Sequence, residues 1–158
     1  MKIISGGQTG VDRAALDAAL NLGLETGGWC PPGRVCESGH IPPEYGLIET
    51  TEERSPRAPG IPRSQRTENN VRDSDATMVL IPESIDNDKG TEWTIECAHY
   101  YHKPCIAINP YHPDARKRIL EWISKTQPEV LNVAGPSEET SPGIYDQSYK
   151  LMIEILNN

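Results

Sequence analysis

A regular alternation of short apolar strands and helices constrains the fold of this chain more than any other feature. Lys2-Ile3-Ile4-Ser5 reads as a buried strand that leads into the turn Gly6-Gly7-Gln8-Thr9-Gly10. Residues 9–22 then carry apolar side chains at the spacing of one helix face. Further strands are predicted at residues 24–30, 76–81, 105–108 and 130–134, and further helices at residues 91–102, 114–125 and 144–156. Strands and helices in this order predict an α/β, Rossmann-like three-layer fold with a mostly parallel central sheet of about five strands.

Local signals mark the ends of the first helix. Thr9 is predicted to cap its start, with Asp12 three residues later in the position of a capping box. Gly23 is predicted to end it, because glycine readily adopts the left-handed conformation that terminates helices.

One segment interrupts the alternation. Residues 31–62 hold seven of the 14 prolines and show no sustained periodicity. Loops of this length inside a compact domain are uncommon, and they usually serve as binding loops or are disordered. We expect a single domain over residues 1–158, with residues 31–62 as a Pro/Arg-rich insertion over the carboxyl edge of the sheet.

Charge and hydropathy restrict the partners. A net charge of -8 disfavours nucleic acid and anionic membrane surfaces, since both attract basic proteins. The longest apolar run covers residues 78–81, far short of the roughly 20 residues that span a bilayer. Two apolar residues before Ser5 leave no room for the core of a signal peptide. We therefore expect a cytoplasmic protein whose cysteines, which lack C-x-x-C spacing, are free thiols.

Two glycine-containing turns between a strand and a helix are candidates for phosphate binding. The first is the turn at residues 6–10, and the second is Asn87-Asp88-Lys89-Gly90-Thr91. A helix start offers free N–H groups and the positive end of the helix dipole, which suit an anion. The alternative is that both are ordinary turns with nothing bound. In a Rossmann-like order the strand ending at Ile81 would lie beside the strand ending at Ser5, and both turns would face one crevice.

Arginines are concentrated between residues 34 and 72, where there is no lysine. The planar guanidinium suits bidentate contacts to phosphate. Arg34 and Arg66 are the favoured candidates, while the glutamates of the same segment provide an alternative set of partners. Neither a nucleophile elbow nor a metal-ligand spacing is present, so no catalytic residue and no metal ligand is predicted.

Five stretches of the sequence together resemble the molybdenum cofactor carrier protein family. They are ISGGQTGVDRAALD at residues 4–17, GGWCP at 27–31 with Gly33-Arg34, RTENNVRDSDA at 66–76, Gly90-Thr91 with Thr94, and NVAGP at 132–136 with PGI at 142–144. The family is similar to cytokinin-activating nucleotide phosphoribohydrolases and to DNA-processing protein A, with which it forms a Rossmann-like superfamily. The resemblance extends over nearly the whole chain.

The resemblance implies a protein that binds the molybdenum cofactor (molybdopterin), a phosphorylated pterin, or a similar nucleotide-like ligand. By position, the two glycine turns would form an anion cradle, further residues would line the pocket, and Asp12 and Asp75 would hold turns in place. The full candidate set is Gly6, Gly7, Gln8, Thr9, Gly10, Asp12, Arg13, Arg34, Arg66, Thr67, Asn70, Asp75, Gly90, Thr91 and Thr94. Related families form dimers or tetramers, so a homo-oligomer is expected.

One departure bears on catalysis. The related phosphoribohydrolases carry Gly-Gly-x-Gly-Thr-x-x-Glu, and Thr94 stands here at the position of their catalytic glutamate. Glu92 and Glu96 lie two residues to either side, about 200° away around a helix. This favours a non-enzymatic carrier over a hydrolase. The alternatives are a nucleotide-hydrolysing enzyme that uses Asp12, Glu92 or Glu96, and a nucleotide-sensing module.

Overall fold

Helices cover both faces of a parallel five-stranded sheet in the computed structural model, which describes residues 1–85 and 88–158. The strands are β1 (Lys2–Ile4), β2 (Thr26–Gly27), β3 (Trp29–Cys30), β4 (Val35–Cys36), β5 (Gly39–His40), β6 (Ile48–Glu49), β7 (Ala76–Leu80), β8 (Cys105–Ile108) and β9 (Val130–Ala134). The helices are α1 (Val11–Asn21), α2 (Ser64–Arg72), α3 (Lys89–Tyr100), α4 (Ala115–Thr126) and α5 (Ile144–Leu156). The predicted α/β fold class is confirmed.

The order of the central sheet is β2-β1-β9-β7-β8, and every neighbouring pair is parallel. In register, Ile3 stands beside Leu131, and Met78 stands beside Val133. The expected adjacency of the first strand and the strand ending near Ile81 is therefore wrong, because β9 lies between them. Both β7 and β9 are buried apolar strands, so their composition alone does not say which of them occupies the centre.

Right-handed crossovers explain which helix covers which face. The chain moves toward one edge from β1 to β2 and from β8 to β9, and toward the other edge from β2 to β7 and from β7 to β8. Accordingly α1 packs with α5, and α5 with α4, on one face, while α2 packs with α3 on the other. If the strands are renumbered from β7, so that β7, β8, β9, β1 and β2 become strands 1 to 5, the sheet has the doubly wound order 2-1-3-4-5. Its switch point then lies between β7 and β9, where ligands of such sheets bind.

The larger core lies between the sheet and the helices α1, α4 and α5, which cover one of its faces. It includes Ile3, Met78, Leu131, Ile119, Ile144 and Met152, all fully buried. The buried alanines along α1 let α5 approach closely, because their side chains are only methyl groups. The smaller core under α2 and α3 contains Val71, Trp93 and Cys97. Among the described residues, no helix has both the length and the apolar character needed to cross a bilayer.

The start of α1 differs from its prediction. Gly10, with a φ of 80°, precedes the first residue of the helix, and no side chain caps it. The Thr9 hydroxyl instead donates to Glu37 Oε2 at 2.7 Å. Gly23, with a φ of 71°, does follow the end of α1 as predicted. The predicted strand at residues 24–30 divides at Gly28 into β2 and β3, which belong to different sheets.

Helix α2 has no counterpart in the sequence prediction. Its buried residues are mostly polar: Ser64, Glu68, Asn69, Asn70 and Val71. A hydrophobic pattern therefore cannot reveal it. Hydrogen bonds stabilise it instead, since Glu68 accepts from the hydroxyl groups of Ser55 and Tyr101.

The insertion at residues 31–62 is folded. β6 pairs with β3, and β4 forms a hairpin with β5. The guanidinium of Arg34 holds the segment together by donating to the carbonyls of Ile41, Leu47 and Pro42. Ile41 and Leu47 pack with Cys30, Tyr45 and Leu16 in a small cluster of their own.

Candidate functional site

A cavity of about 270 Å³ opens at the carboxyl ends of β1, β9 and β7, at the switch point of the sheet. Four segments and the side chain of Glu37 line it. The segments contribute Gln8 and Asp12 after β1; Ile61, Pro62, Arg63, Arg66 and Thr67 around the start of α2; Asp88, Lys89, Gly90, Thr91 and Thr94 at the start of α3; and Ala134, Gly135, Pro136, Ser137 and Thr140 after β9.

Much of the predicted site is brought together here. Gln8, Asp12, Arg66, Thr67, Gly90, Thr91 and Thr94 line the cavity. Gly6 and Asn70 line an adjoining recess that shares Arg66, Thr67 and Thr94 with it. Asn87, the first residue of the second predicted turn, lies outside the described residues.

Other predicted residues hold the fold and do not line the cavity. Gly7 has a φ of 79°, and a Cβ there would lie 2.6 Å from Leu47 Cδ1. Arg13 donates to the Gly7 carbonyl at 3.1 Å and to Cys36 Sγ at 3.6 Å. Arg34 binds main-chain carbonyls of the insertion, as described above. These residues pack behind the walls, since Leu47 fills the space beside Gly7 and the guanidinium groups of Arg13 and Arg34 donate to protein atoms. Arg13 Nε is buried and has no acceptor among the described residues.

Gly10 and Asp75 are structural as well. A Cβ on Gly10 would lie 2.5 Å from the Pro136 carbonyl, so glycine lets the loop after β9 pack on the start of α1. Asp75 lies at the amino end of β7, at the opposite edge of the sheet. Its carboxylate accepts from the amides of Glu129 and Val130, and so holds a turn, as the resemblance implied.

Two amides of the predicted cradle at the first turn, and the first amide of α1, are bonded within the protein. The amide of Gln8 donates to Asp12 Oδ2 at 3.3 Å, that of Thr9 to Gln8 Oε1 at 2.9 Å, and that of Val11 to Pro136 at 3.2 Å. The carboxylate of Asp12, in the first turn of α1, thus takes up the Gln8 amide and places negative charge near this helix start.

The start of α3 is capped by a carboxylate. Asp88 accepts from the Gly90 amide at 3.2 Å and from the Thr91 hydroxyl at 2.6 Å. Asp88 is therefore the cap of this helix. The start of α3 is thus capped, and the side chains of Gln8 and Arg66 add buried donors to the lining of the cavity.

Gln8 presents a fixed amide donor. Its Oε1 accepts from the amides of Thr9 and Glu37, both at 2.9 Å, and these two bonds determine which way the side-chain amide faces. Gln8 is 6% exposed, and its Nε2 has no acceptor among the described residues. A buried donor without an acceptor is unfavourable, so a ligand atom that accepted from Nε2 would be stabilising.

Arg66 presents a second such donor. Its guanidinium lies over Gly6, where a Cβ would collide with Nη1, and this contact explains why glycine is needed at that position. Nη1 lies 3.6 Å from Asp12 Oδ2, a distance too long for a good hydrogen bond. Nε is buried and has no acceptor within the described part of the chain.

The charges in the cavity balance in number. Arg63, Arg66 and Lys89 face the carboxylates of Asp12, Glu37 and Asp88. Burial raises the pKa of Asp12 above its ordinary value, against the lowering effect of Arg66. Burial would also raise the pKa of Glu37, but the nearby hydroxyls of Ser137 and Thr9 lower it overall. The pKa of Glu37 is thus shifted toward the charged form, and the pKa of Asp12 is shifted toward the neutral form.

Several lining residues were not predicted as part of the site. Glu37 reaches the cavity from the insertion, and Arg63, Ser137 and Thr140 reach it from the loops before α2 and after β9. The loop after β9 could have been identified, since it follows a predicted strand and carries the NVAGP stretch. No sequence pattern marked Glu37 as a site residue, because its position in the cavity depends on how the insertion folds back over the sheet.

The position of the phosphoribohydrolase glutamate is occupied without a carboxylate. Thr94 is buried in the cavity wall and its hydroxyl donates to the Gly90 carbonyl at 2.9 Å. Glu92 and Glu96 are exposed and do not line the cavity. Within the described residues, no group of three His, Cys, Asp or Glu side chains could hold a metal ion.

Comparisons with known proteins agree with this architecture. Residues 3–156 match the family described as the circularly permutated YpsA SLOG family. No curated protein matches the chain. A crystal structure named "Putative molybdenum carrier protein" from Syntrophus aciditrophicus SB is similar, with 39% sequence identity and a TM-score of 0.86. The match covers 98% of this chain and 94% of that one.

Proposed function

The chain belongs to the circularly permutated YpsA SLOG family, and from this premise we propose that it is a non-enzymatic binding protein for a phosphorylated small molecule, with the molybdenum cofactor as the leading ligand. The observation that carries the proposal is the pair of buried donors, Gln8 Nε2 and Arg66 Nε, in one cavity at the switch point. Both need an acceptor, and a phosphate group supplies several.

The donor set fits the phosphate end of such a ligand. Arg66 offers a planar fork, and Arg63 and Lys89 add positive charge beside it. The carboxylates of Asp12, Glu37 and Asp88 in the same cavity suit a heterocycle with N–H donors, such as the amino-oxo edge of a pterin or a guanine. The cavity of about 270 Å³ is slightly smaller than the roughly 300–1,000 Å³ of ordinary ligand sites, so part of the ligand would extend through the open side.

Thr94 supports binding without hydrolysis. A threonine whose hydroxyl is bonded to a main-chain carbonyl has no proton-accepting role comparable to that of a carboxylate. Asp12 and Asp88 also line the cavity, but each carboxylate accepts hydrogen bonds at a helix start. The residues facing the ligand are therefore suited to hold it and not to cleave it.

We further propose that the protein acts in the cytoplasm as a homo-oligomer. Free thiols at Cys30, Cys36, Cys97 and Cys105 suit a reducing compartment. The exposed side chains of Ile95 and Tyr100 on α3 supply apolar surface that a second copy would cover.

Two measurements on the purified protein test the proposal. Mass spectrometry of the small molecules that co-purify with it is expected to find a phosphorylated pterin or nucleotide at a fixed ratio to protein. Incubation with nucleoside monophosphates is expected to release no free base. Sustained release of base, lost on changing Asp12 to Asn, would instead establish a hydrolase.

A further inference from the structure

Asp12 is placed where a bound anion must affect it. Its side chain is buried, with 2% of the residue exposed, and it lines the same cavity as the two donors without acceptors. Among the described residues it receives one main-chain hydrogen bond, the 3.3 Å bond from Gln8. Its ion-pair partner Arg66 lies at 3.6 Å. Besides the nearby Ser5 hydroxyl, the carboxylate is thus held by two long contacts, both to residues that would also bind the ligand.

An anion that satisfied Arg66 would lie close to Asp12. A hydrogen bond to the guanidinium places the accepting oxygen about 3 Å from one of its nitrogens. Because Asp12 Oδ2 is 3.6 Å from Nη1 of the same group, the two negative charges would share one buried cation at short range. Like charges that share a site disfavour each other, and one of them is neutralised by a proton when burial prevents screening.

The other carboxylates of the cavity are held more firmly. Glu37 accepts from the Thr9 hydroxyl at 2.7 Å and from the Glu139 amide at 3.3 Å. Asp88 accepts from Gly90 and Thr91 as the cap of α3. Asp12 therefore is the carboxylate whose charge is most easily given up.

The groups that act on Asp12 can be named for each element around it. The Gln8 amide and the Ser5 hydroxyl, from the turn between β1 and α1, lower the pKa of Asp12. Arg66 on α2 and Arg63, the residue before α2, lower it as well. Glu37, Asp88 and Lys89 line the same cavity from the insertion and from α3. Burial outweighs the two arginines and raises the pKa of Asp12, so it already lies closer to neutral pH than that of an exposed aspartate.

We propose that Asp12 selects the charge that the site accepts, by taking up one proton when an anionic group binds Arg66. This rests on the proposed function only in requiring that the cavity binds an anion. As the pH rises the proton becomes harder to supply, so anions bind more weakly. A neutral amide at the same position would remove this dependence, because it repels no anion and binds no proton.

The test uses inorganic sulfate, whose own charge does not change with pH over the range needed. Equilibrium dialysis of labelled sulfate, with chloride held at constant ionic strength, gives the Kd between about pH 5.5 and about pH 8.5. The wild-type Kd is expected to rise by about tenfold or more across this range, since one linked proton contributes up to about tenfold per pH unit. For Asp12→Asn the Kd is expected to change by less than about twofold, because a neutral amide replaces the carboxylate that takes up the proton.

A second measurement needs no variant. Adding sulfate to the weakly buffered wild-type protein is expected to raise the pH, by an amount that approaches one proton per bound anion. Binding with no proton uptake and a constant Kd would overturn the role of Asp12 while leaving the anion site in place. An equal pH dependence in Asp12→Asn would also overturn it. Absence of sulfate binding at every pH would contradict the anion site itself.

Discussion

Asn70 on α2 binds the main chain of Trp29 through both ends of its side-chain amide. Its Oδ1 accepts from the Trp29 amide at 2.7 Å, and its Nδ2 donates to the Trp29 carbonyl at 3.0 Å. Asn70 thus acts as a neighbouring strand for β3 and joins α2 to the start of the insertion. The close packing of Gly28, where a Cβ would lie 2.9 Å from Asn70 Oδ1, leaves no room for a side chain at this junction.

Replacing Asn70 by alanine removes both bonds and leaves a main-chain donor and acceptor without partners. The free energy of unfolding is expected to fall by about 2–3 kcal/mol, measured by urea denaturation. Asn21→Ala, at an exposed position in the last turn of α1, is the matched control and is expected to change stability by less than about 0.5 kcal/mol. Equal effects of the two substitutions would contradict the junction.

Gly10 and Gly23, on either side of α1, provide a second comparison of a tightly packed position with a matched control. Both have positive φ, at 80° and 71°, but a Cβ on Gly10 would meet the loop after β9, while a Cβ on Gly23 would have nothing within 4 Å. Gly23→Ala is expected to cost about 1 kcal/mol of stability from the backbone conformation alone. Gly10→Ala is expected to cost at least about 2 kcal/mol more and to weaken ligand binding, as seen by thermal denaturation with and without ligand. Similar losses for both variants would show that the loop does not depend on this contact.

Lys89 is expected to contribute to binding and not to folding. It is exposed at the start of α3 and lines the cavity. Lys89→Ala is expected to weaken the binding of inorganic phosphate about three- to tenfold, the loss of about 1 kcal/mol typical of a solvent-exposed charge, with an unchanged Tm. Lys125→Ala, exposed near the end of α4 at the opposite edge of the sheet, serves as the control. A decrease of equal size in Lys125→Ala would indicate a general charge effect.

Glu68 predicts a dependence of stability on pH. Burial would raise the pKa of Glu68, but hydrogen bonds from Ser55 and Tyr101 and the charge of Arg57 lower it overall. Its stabilising contribution is therefore full above the pKa of an unfolded glutamate, near 4.5, and is lost as the pH falls through the lower pKa of the folded state.

The corresponding variant is Glu68→Gln. At pH 7 it is expected to be less stable than the wild type by about 1–3 kcal/mol, because an amide cannot accept all three contacts. Below about pH 4 the difference is expected to shrink as the wild-type carboxyl takes up a proton. Urea denaturation at both pH values measures it, with the exposed Glu96→Gln as control. A difference that is the same at both pH values would rule out a contribution from the ionised carboxylate.

The central strands and most helices could be predicted from local pattern. β8 and β9 have the predicted bounds, and α5 begins at Ile144 as expected. Such segments bury apolar side chains at regular spacing, and that spacing is visible in the sequence. Helix α2 was missed for the same reason, since its buried side chains are polar and their partners, such as Trp29, Ser55 and Tyr101, lie far away along the chain.

The motif residues could be found, but not all of their roles. Gly7, Gly10, Arg13 and Arg34 belong to the stretches that resemble the family, yet they pack against or bond to other protein atoms. A motif combines residues that bind a ligand with residues that shape the walls around it, and spacing does not separate the two. Only the contacts show that Arg66 Nε is left without an acceptor among the described residues while Arg34 uses its guanidinium on carbonyls.

By itself the sequence determined an α/β chain with glycine turns at strand ends, because apolar periodicity and the freedom of glycine are local properties. The tertiary structure decided that β9 separates β1 from β7, and so which loops meet at the crevice. It also decided that Asp88 caps α3, that Asp12 accepts from the Gln8 amide, and that the donors Gln8 Nε2 and Arg66 Nε are buried without an acceptor among the described residues. These outcomes depend on contacts between residues far apart in the chain, which only the folded molecule brings together.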